Sequence, residues 1–177
     1  MKERIYDGNI FLLPNPEKRD AVCVTTNGVL RANGRAVMGA GIAKYARDTF
    51  RGVDKRLGEN IKMYGNRAFS LGWQWPITAA PERSPWKQAN KFMLLSFPTK
   101  HHWKDNSDVS LIRESCRQAM SLADEHNLDS IYMPCPGCSN GHLDYGRDVR
   151  PILMKELDER FVVCVPYSIA EKVGYFG

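Results

Sequence analysis

Ala21-Val-Cys-Val-Thr-Thr26, followed after a glycine-bearing loop by Val37-Met-Gly-Ala-Gly-Ile-Ala43, is the stretch on which the fold turns. The first run is short, apolar and rich in β-branched residues, which reads as a buried strand. The second places Gly39 and Gly41 at the mouth of a helix expected over about residues 40–57. There Ile42, Ala46, Phe50, Val53 and Leu57 recur at steps of three and four, giving one core-facing stripe. Gly58 is placed to end that helix.

Outward from this unit the alternation continues. Upstream lie the short apolar segments Arg4–Tyr6 and Ile10–Leu13, then a loop over Pro14–Asp20. Downstream, Phe69–Trp75 is a weak strand candidate and Lys91–Phe97 a firmer one, with Pro76, Pro81 and Pro85 marking a loop over Pro76–Asn90. A second helix is expected from about Asp108 to Glu125, with Ser107 as its N-cap and Val109, Ile112, Cys116, Ala119 and Ala123 as its stripe. Ser130–Met133 reads as a short strand. A last helix follows over about Asp148–Arg160, with Pro151 in its first turn, where the N–H groups lack intrahelical partners anyway. Phe161–Val165 is the final strand. The pattern predicts an α/β fold with a mixed or parallel sheet between helices. In such sheets ligands sit beyond the carboxyl ends of the strands, where both glycine loops belong.

Composition sets broad limits. A length of 177 residues fits one domain over residues 1–177, and 43% hydrophobic with 25% charged residues is ordinary globular usage. No apolar run approaches the ~20 residues of a membrane span. The opening MKERIYDG has no apolar core of a secretory signal, and the five cysteines are odd in number and mostly embedded in apolar stretches. Reduced thiols, a cytoplasmic location, a monomeric chain and no membrane association are the resulting expectations. The net charge of +5 favours anionic partners, although no run of consecutive Lys or Arg and no nucleic-acid-recognition module accompanies it.

The glycine loops carry the chemistry. At Met38-Gly39-Ala40-Gly41-Ile42 the backbone can approach a ligand closely, and the helix start supplies partial positive charge, as a diphosphate requires. Close packing would explain the same small residues. The loop has neither dinucleotide-fingerprint spacing nor the Gly-Lys-Ser/Thr of a P-loop. The second loop, Pro134-Cys-Pro-Gly-Cys-Ser-Asn-Gly-His-Leu-Asp-Tyr145, has a C-x-x-C pair at Cys135 and Cys138. No second pair lies near and His142 alone does not complete a zinc site, while a redox pair belongs at a helix start. An anion-binding nest of N–H groups at Gly137, Ser139, Asn140 and Gly141 fits better, with no metal.

Gly8-Asn-Ile10, the strand end Thr26-Asn27, VMGAGIA at 37–43, FPTKHHW at 97–103 and PGCSNGHLDY at 136–145 together resemble the macrodomains over nearly the whole chain. The resemblance is greatest to the branch of DNA ADP-ribosyl glycohydrolase antitoxins and terminal ADP-ribose–glutamate hydrolases. It implies a three-layer αβα sandwich with ADP-ribose in a surface cleft and no further cofactor. It places adenine near Asn9 and Ile10, and the diphosphate between Gly39, Ala40, Gly41 and Ile42 on one side and Ser139, Asn140, Gly141, His142 and Leu143 on the other, with Met38, Gly137 and Cys138 as further ADP-ribose-binding residues. The distal ribose then reaches Asn27 and Lys100, and Lys100 stands where the antitoxins carry their catalytic lysine.

A partly desolvated amine can act on C1″ of the opened ribose through a transient Schiff base, or stabilise developing charge. Asn27 can bind a ribose hydroxyl; Asn33, in a loop longer than the antitoxins have, is the second candidate. The aspartate of the glutamate hydrolases aligns with Gly141, and Asp144 is out of register. His101, His102 and Trp103 are candidates to touch a modified base or protein, but adjacent histidines on a strand point apart, so at most one serves the site, and a solvated loop is the preferred reading. The expected function is hydrolysis of ADP-ribose from a modified macromolecule, a DNA base or a protein side chain. The alternatives are a non-catalytic reader of ADP-ribose and a phosphatase for ADP-ribose 1″-phosphate.

Overall fold

The computed structural model describes residues 1–75 and 91–176, so the loop expected over Pro76–Asn90 lies outside the described residues. Strands β1 (Lys2–Ile5), β2 (Ala21–Thr26), β3 (Ser70–Gln74), β4 (Phe92–Pro98), β5 (Ile131–Pro134) and β6 (Phe161–Val165) form one sheet in the order β1-β6-β5-β2-β4-β3. Every pairing is parallel except that of β3, which runs antiparallel along the edge of β4. The sheet is therefore mixed, as expected for this α/β fold.

Helices α1 (Gly41–Thr49) and α2 (Val53–Tyr64) cover one face; α3 (Val109–Glu125), α4 (Arg150–Glu156) and α5 (Tyr167–Val173) cover the other. The period of two along the central strands divides the core accordingly. Val22 and Val24 of β2, with Phe92 and Leu94 of β4, join Ala46, Phe50 and Leu57. Ala21 and Cys23, with Met93, Leu95 and Phe97, join Ile112, Cys116 and Leu153 on the far side. Because both faces are covered, β2 and β4 read as continuous apolar runs. None of the described helices is long and apolar enough to cross a membrane.

Four local expectations need correction. The helix expected over 40–57 is two helices, broken where Gly52 takes φ +79°, a left-handed conformation that glycine adopts without steric cost. Gly58 does not end a helix but lies inside α2, where a Cβ would clash with the carbonyl oxygen of Gly34. The N-cap of α3 is Asp108, whose carboxylate accepts from the Ser110 and Leu111 N–H groups, not Ser107. A single π turn, Tyr145–Val149, precedes α4, and α5 was not anticipated, its seven residues being too few to display a periodic stripe.

Candidate functional site

The carboxyl ends of β2, β4 and β5 open into a cleft of ≈ 530 Å³, within the range of small-molecule sites. From β2 come Thr25, Thr26 and Asn27, and from the end of β4 Thr99 and Lys100. One wall is Met38–Ala43; the opposite wall is Gly137, Ser139, Asn140 and Gly141, with Trp103 and Ser107 between β4 and α3. Both glycine loops thus face one cavity with Lys100 between them.

Local geometry explains why these loops can receive an anion. Gly41 takes φ +54° at the first position of α1, and Ala40 before it offers no side-chain cap. Among the described residues no side chain accepts from the first-turn N–H groups. Gly137 takes φ +78° and a Cβ there would come 2.9 Å from the Ser107 Cβ, so the second loop can fold down only without that atom. Its turn is closed by bonds from Leu143 N to Gly137 O and from Ser107 N to Gly141 O, each 3.0 Å. Among the described lining residues Lys100 carries the only charge, and no carboxylate opposes an anion.

Lys100 Nζ donates to the Asn140 carbonyl oxygen at 2.6 Å, joining the end of β4 to the second loop. Its own carbonyl accepts from Asn66 Nδ2 at 2.9 Å, which anchors the segment to the end of α2. Asn27 spans the base of its loop: Nδ2 donates to Val37 O and Oδ1 accepts from Val29 N, each at 3.0 Å. One amide hydrogen and one lone-pair direction remain for a ligand. Asn33, by contrast, accepts from Arg35 N at an exposed turn outside the cleft lining.

Asn9, Ile10, Cys138, His142 and Leu143 also lie outside that lining. Asn9 caps a 3₁₀ turn (Ile10–Leu12) and donates to the Tyr45 hydroxyl at 2.9 Å, and Ile10 is buried behind α1. The Cys138 thiol is pushed up to about 12 by burial, with Asp144 and Asp148 adding to the effect. Burial raises the Cys135 thiol further, so both are protonated at neutral pH and poor nucleophiles. Among the described residues no cluster of His, Cys, Asp and Glu could hold a metal. Asp144 caps the π turn through Arg147 N and does not pair with Lys100. His101 bonds Asp108 at 3.0 Å, whereas Trp103, half exposed at the rim, stacks on His102 at 5.5 Å.

Thr25, Thr26, Thr99 and Ser107 were missed. The first three are strand ends, and a strand end becomes a cleft wall only when a neighbouring strand stops beside it. The β2–β4 register, Thr26 opposite Pro98, supplies that fact.

The macro domain family model matches residues 84–151. No protein of curated function matches the chain. Among solved structures, Thermosipho africanus DarTG in complex with ADP-ribose is similar with a TM-score of 0.69 and 19% identity, over 95% of this chain. The alignment spans 42% of the DarTG chain, less than half its length. The DarG macrodomain of Thermus aquaticus aligns with TM-score 0.64 and 25% identity, over 93% of this chain and 97% of its own. That of Mycobacterium tuberculosis gives 0.61 and 19%, over 93% and 96%. The chain therefore has the macrodomain fold, and its residues 84–151 match the macro domain family model.

Proposed function

We propose that the cleft binds ADP-ribose and that Lys100 releases it from a modified macromolecule, a DNA base or a protein side chain. The observation that carries this reading is the Lys100 ammonium on the Asn140 carbonyl, between two glycine walls and with no competing carboxylate. The diphosphate rests between Gly39–Ile42 and Ser139–Gly141, on backbone N–H groups. The distal ribose extends to Asn27 and Lys100. Once the sugar ring opens, the amine adds to C1″ and expels the carrier, which leaves with a proton. Water then hydrolyses the resulting imine, returning the amine and freeing ADP-ribose.

The test is a panel of ADP-ribosylated oligonucleotide, glutamate-ADP-ribosylated protein and ADP-ribose 1″-phosphate, offered to the wild type and to Lys100→Ala, with calorimetric titration of ADP-ribose beside it. Release by the wild type, lost in a variant that still binds, is expected. Binding without turnover of any substrate would establish a reader instead, and turnover confined to the 1″-phosphate a phosphatase. Absence of binding would overturn the reading.

A further inference from the structure

Ser107 is nine-tenths buried in the cleft wall, and its Oγ is enclosed without a hydrogen-bond partner among the described residues. Among the described residues no other group uses this hydroxyl. The helix cap is taken by Asp108, and the only bond tying Ser107 to the second loop comes from its backbone N–H, given to Gly141 O. The hydroxyl instead faces Gly137 and Gly141, the two positions where a Cβ would overlap Ser107. A buried hydroxyl without a partner destabilises the state that contains it, and alanine would fill the same place without that penalty.

We propose that Ser107 is a ligand-binding residue, its hydroxyl donating to a phosphate oxygen of the nucleoside diphosphate seated on the second loop. The inference rests on the ADP-ribose reading above and names a contact that reading did not include. Lys100 holds Asn140 down through its carbonyl, and so keeps Ser139–Gly141 over Ser107. A ligand whose distal ribose reaches Lys100 competes for that ammonium. Once the ammonium turns from Asn140 to the ribose, the loop can lift by the small amount that exposes Oγ to the diphosphate. The bond gained there offsets the penalty of the unpartnered hydroxyl.

Two quantities moving in opposite directions test this. Ser107→Ala should melt at the same temperature as the wild type or higher, yet bind ADP-ribose about tenfold more weakly, the usual size for a hydrogen bond to a charged group. Unchanged affinity overturns the proposal. So does a loss of affinity that accompanies a lower melting temperature, because that is the behaviour of a structural hydroxyl. If Ser107→Ala does not fold, Ser107→Cys, similar in size and a weak donor, is judged by the same two measurements. A wild type that fails to bind ADP-ribose overturns the proposed function itself; a wild type that binds beside an equally avid variant overturns the Ser107 role alone.

Discussion

The Lys100 ammonium lies 2.6 Å from the carbonyl oxygen of Asn140, so the candidate catalyst and the second glycine loop are one hydrogen-bonded unit. Asn140 in turn faces the first loop, its Nδ2 standing 3.5 Å from where a Cβ on Gly41 would be. The residue therefore links Lys100 to the first glycine loop across the cleft.

Lys100→Arg separates the two chemical roles of that ammonium. Arginine keeps the charge but forms no Schiff base. If the amine is the nucleophile, the arginine variant loses as much turnover as Lys100→Ala, about 100-fold or more. Single-turnover release of ADP-ribose from the substrate found in the panel measures it. Substantial activity in Lys100→Arg would leave only the electrostatic role.

Gly41→Val should abolish ADP-ribose binding. A β-branched residue at φ +54° is strained, costing about 1–2 kcal/mol of stability, and its bulk projects towards Asn140 across the cleft. Gly39→Ala is the companion variant, because a Cβ there meets nothing within 4 Å and the fold should tolerate it. Titration calorimetry and denaturant unfolding of both variants check the contrast.

Gly58→Ala should destabilise the protein by about 1–2 kcal/mol, although alanine in a helix interior ordinarily gains about 1 kcal/mol over glycine. The added methyl would meet the Gly34 carbonyl oxygen and approach Ala36 N to 2.9 Å. Ala36 N cannot retreat freely, since it is bonded to Asp54 O. Urea denaturation decides the sign.

Glu3→Gln should lower stability by about 2 kcal/mol at neutral pH and flatten its decline in acid. Glu3 sits among Arg150, Tyr145 and Tyr175, bonding Arg150 Nε at 2.9 Å and the Tyr145 hydroxyl at 2.7 Å. Burial alone would raise its carboxyl; the bonds from Arg150, Tyr175 and Tyr145 outweigh that and hold it below the ordinary value of 4.5. With the folded value depressed, the stabilisation is complete above that ordinary value. It disappears as pH falls through it towards the folded one. Thermal melts across that range, for wild type and variant, test the difference.

Strands β2, β4, β5 and β6 could be read along the chain, β3 only weakly, and β1 showed as no more than a short apolar segment. Strands β2 and β6 were legible to the residue, because an apolar run covered on both faces leaves a continuous signal. Most of the α3 stripe was legible for the analogous reason, Ile112, Cys116, Ala119 and Ala123 being buried although Val109 is exposed, and so was the placing of both glycine loops after strands. The stripe from Ile42 to Leu57 read as one helix and is two. Tertiary structure alone decided what depends on residues distant in the chain. Gly58 looked like a helix terminator until the approach of Gly34 showed why it has no side chain. Ser107 looked like a cap until the loop thirty residues onward closed over its hydroxyl. Asn27, at a strand end, was the preferred candidate over Asn33, and of the two only Asn27 lines the cleft. Local propensity and periodicity record what a residue does with its near neighbours. A clash, an orphaned hydroxyl or an ammonium on a distant carbonyl arises from pairs that the sheet order alone brings together.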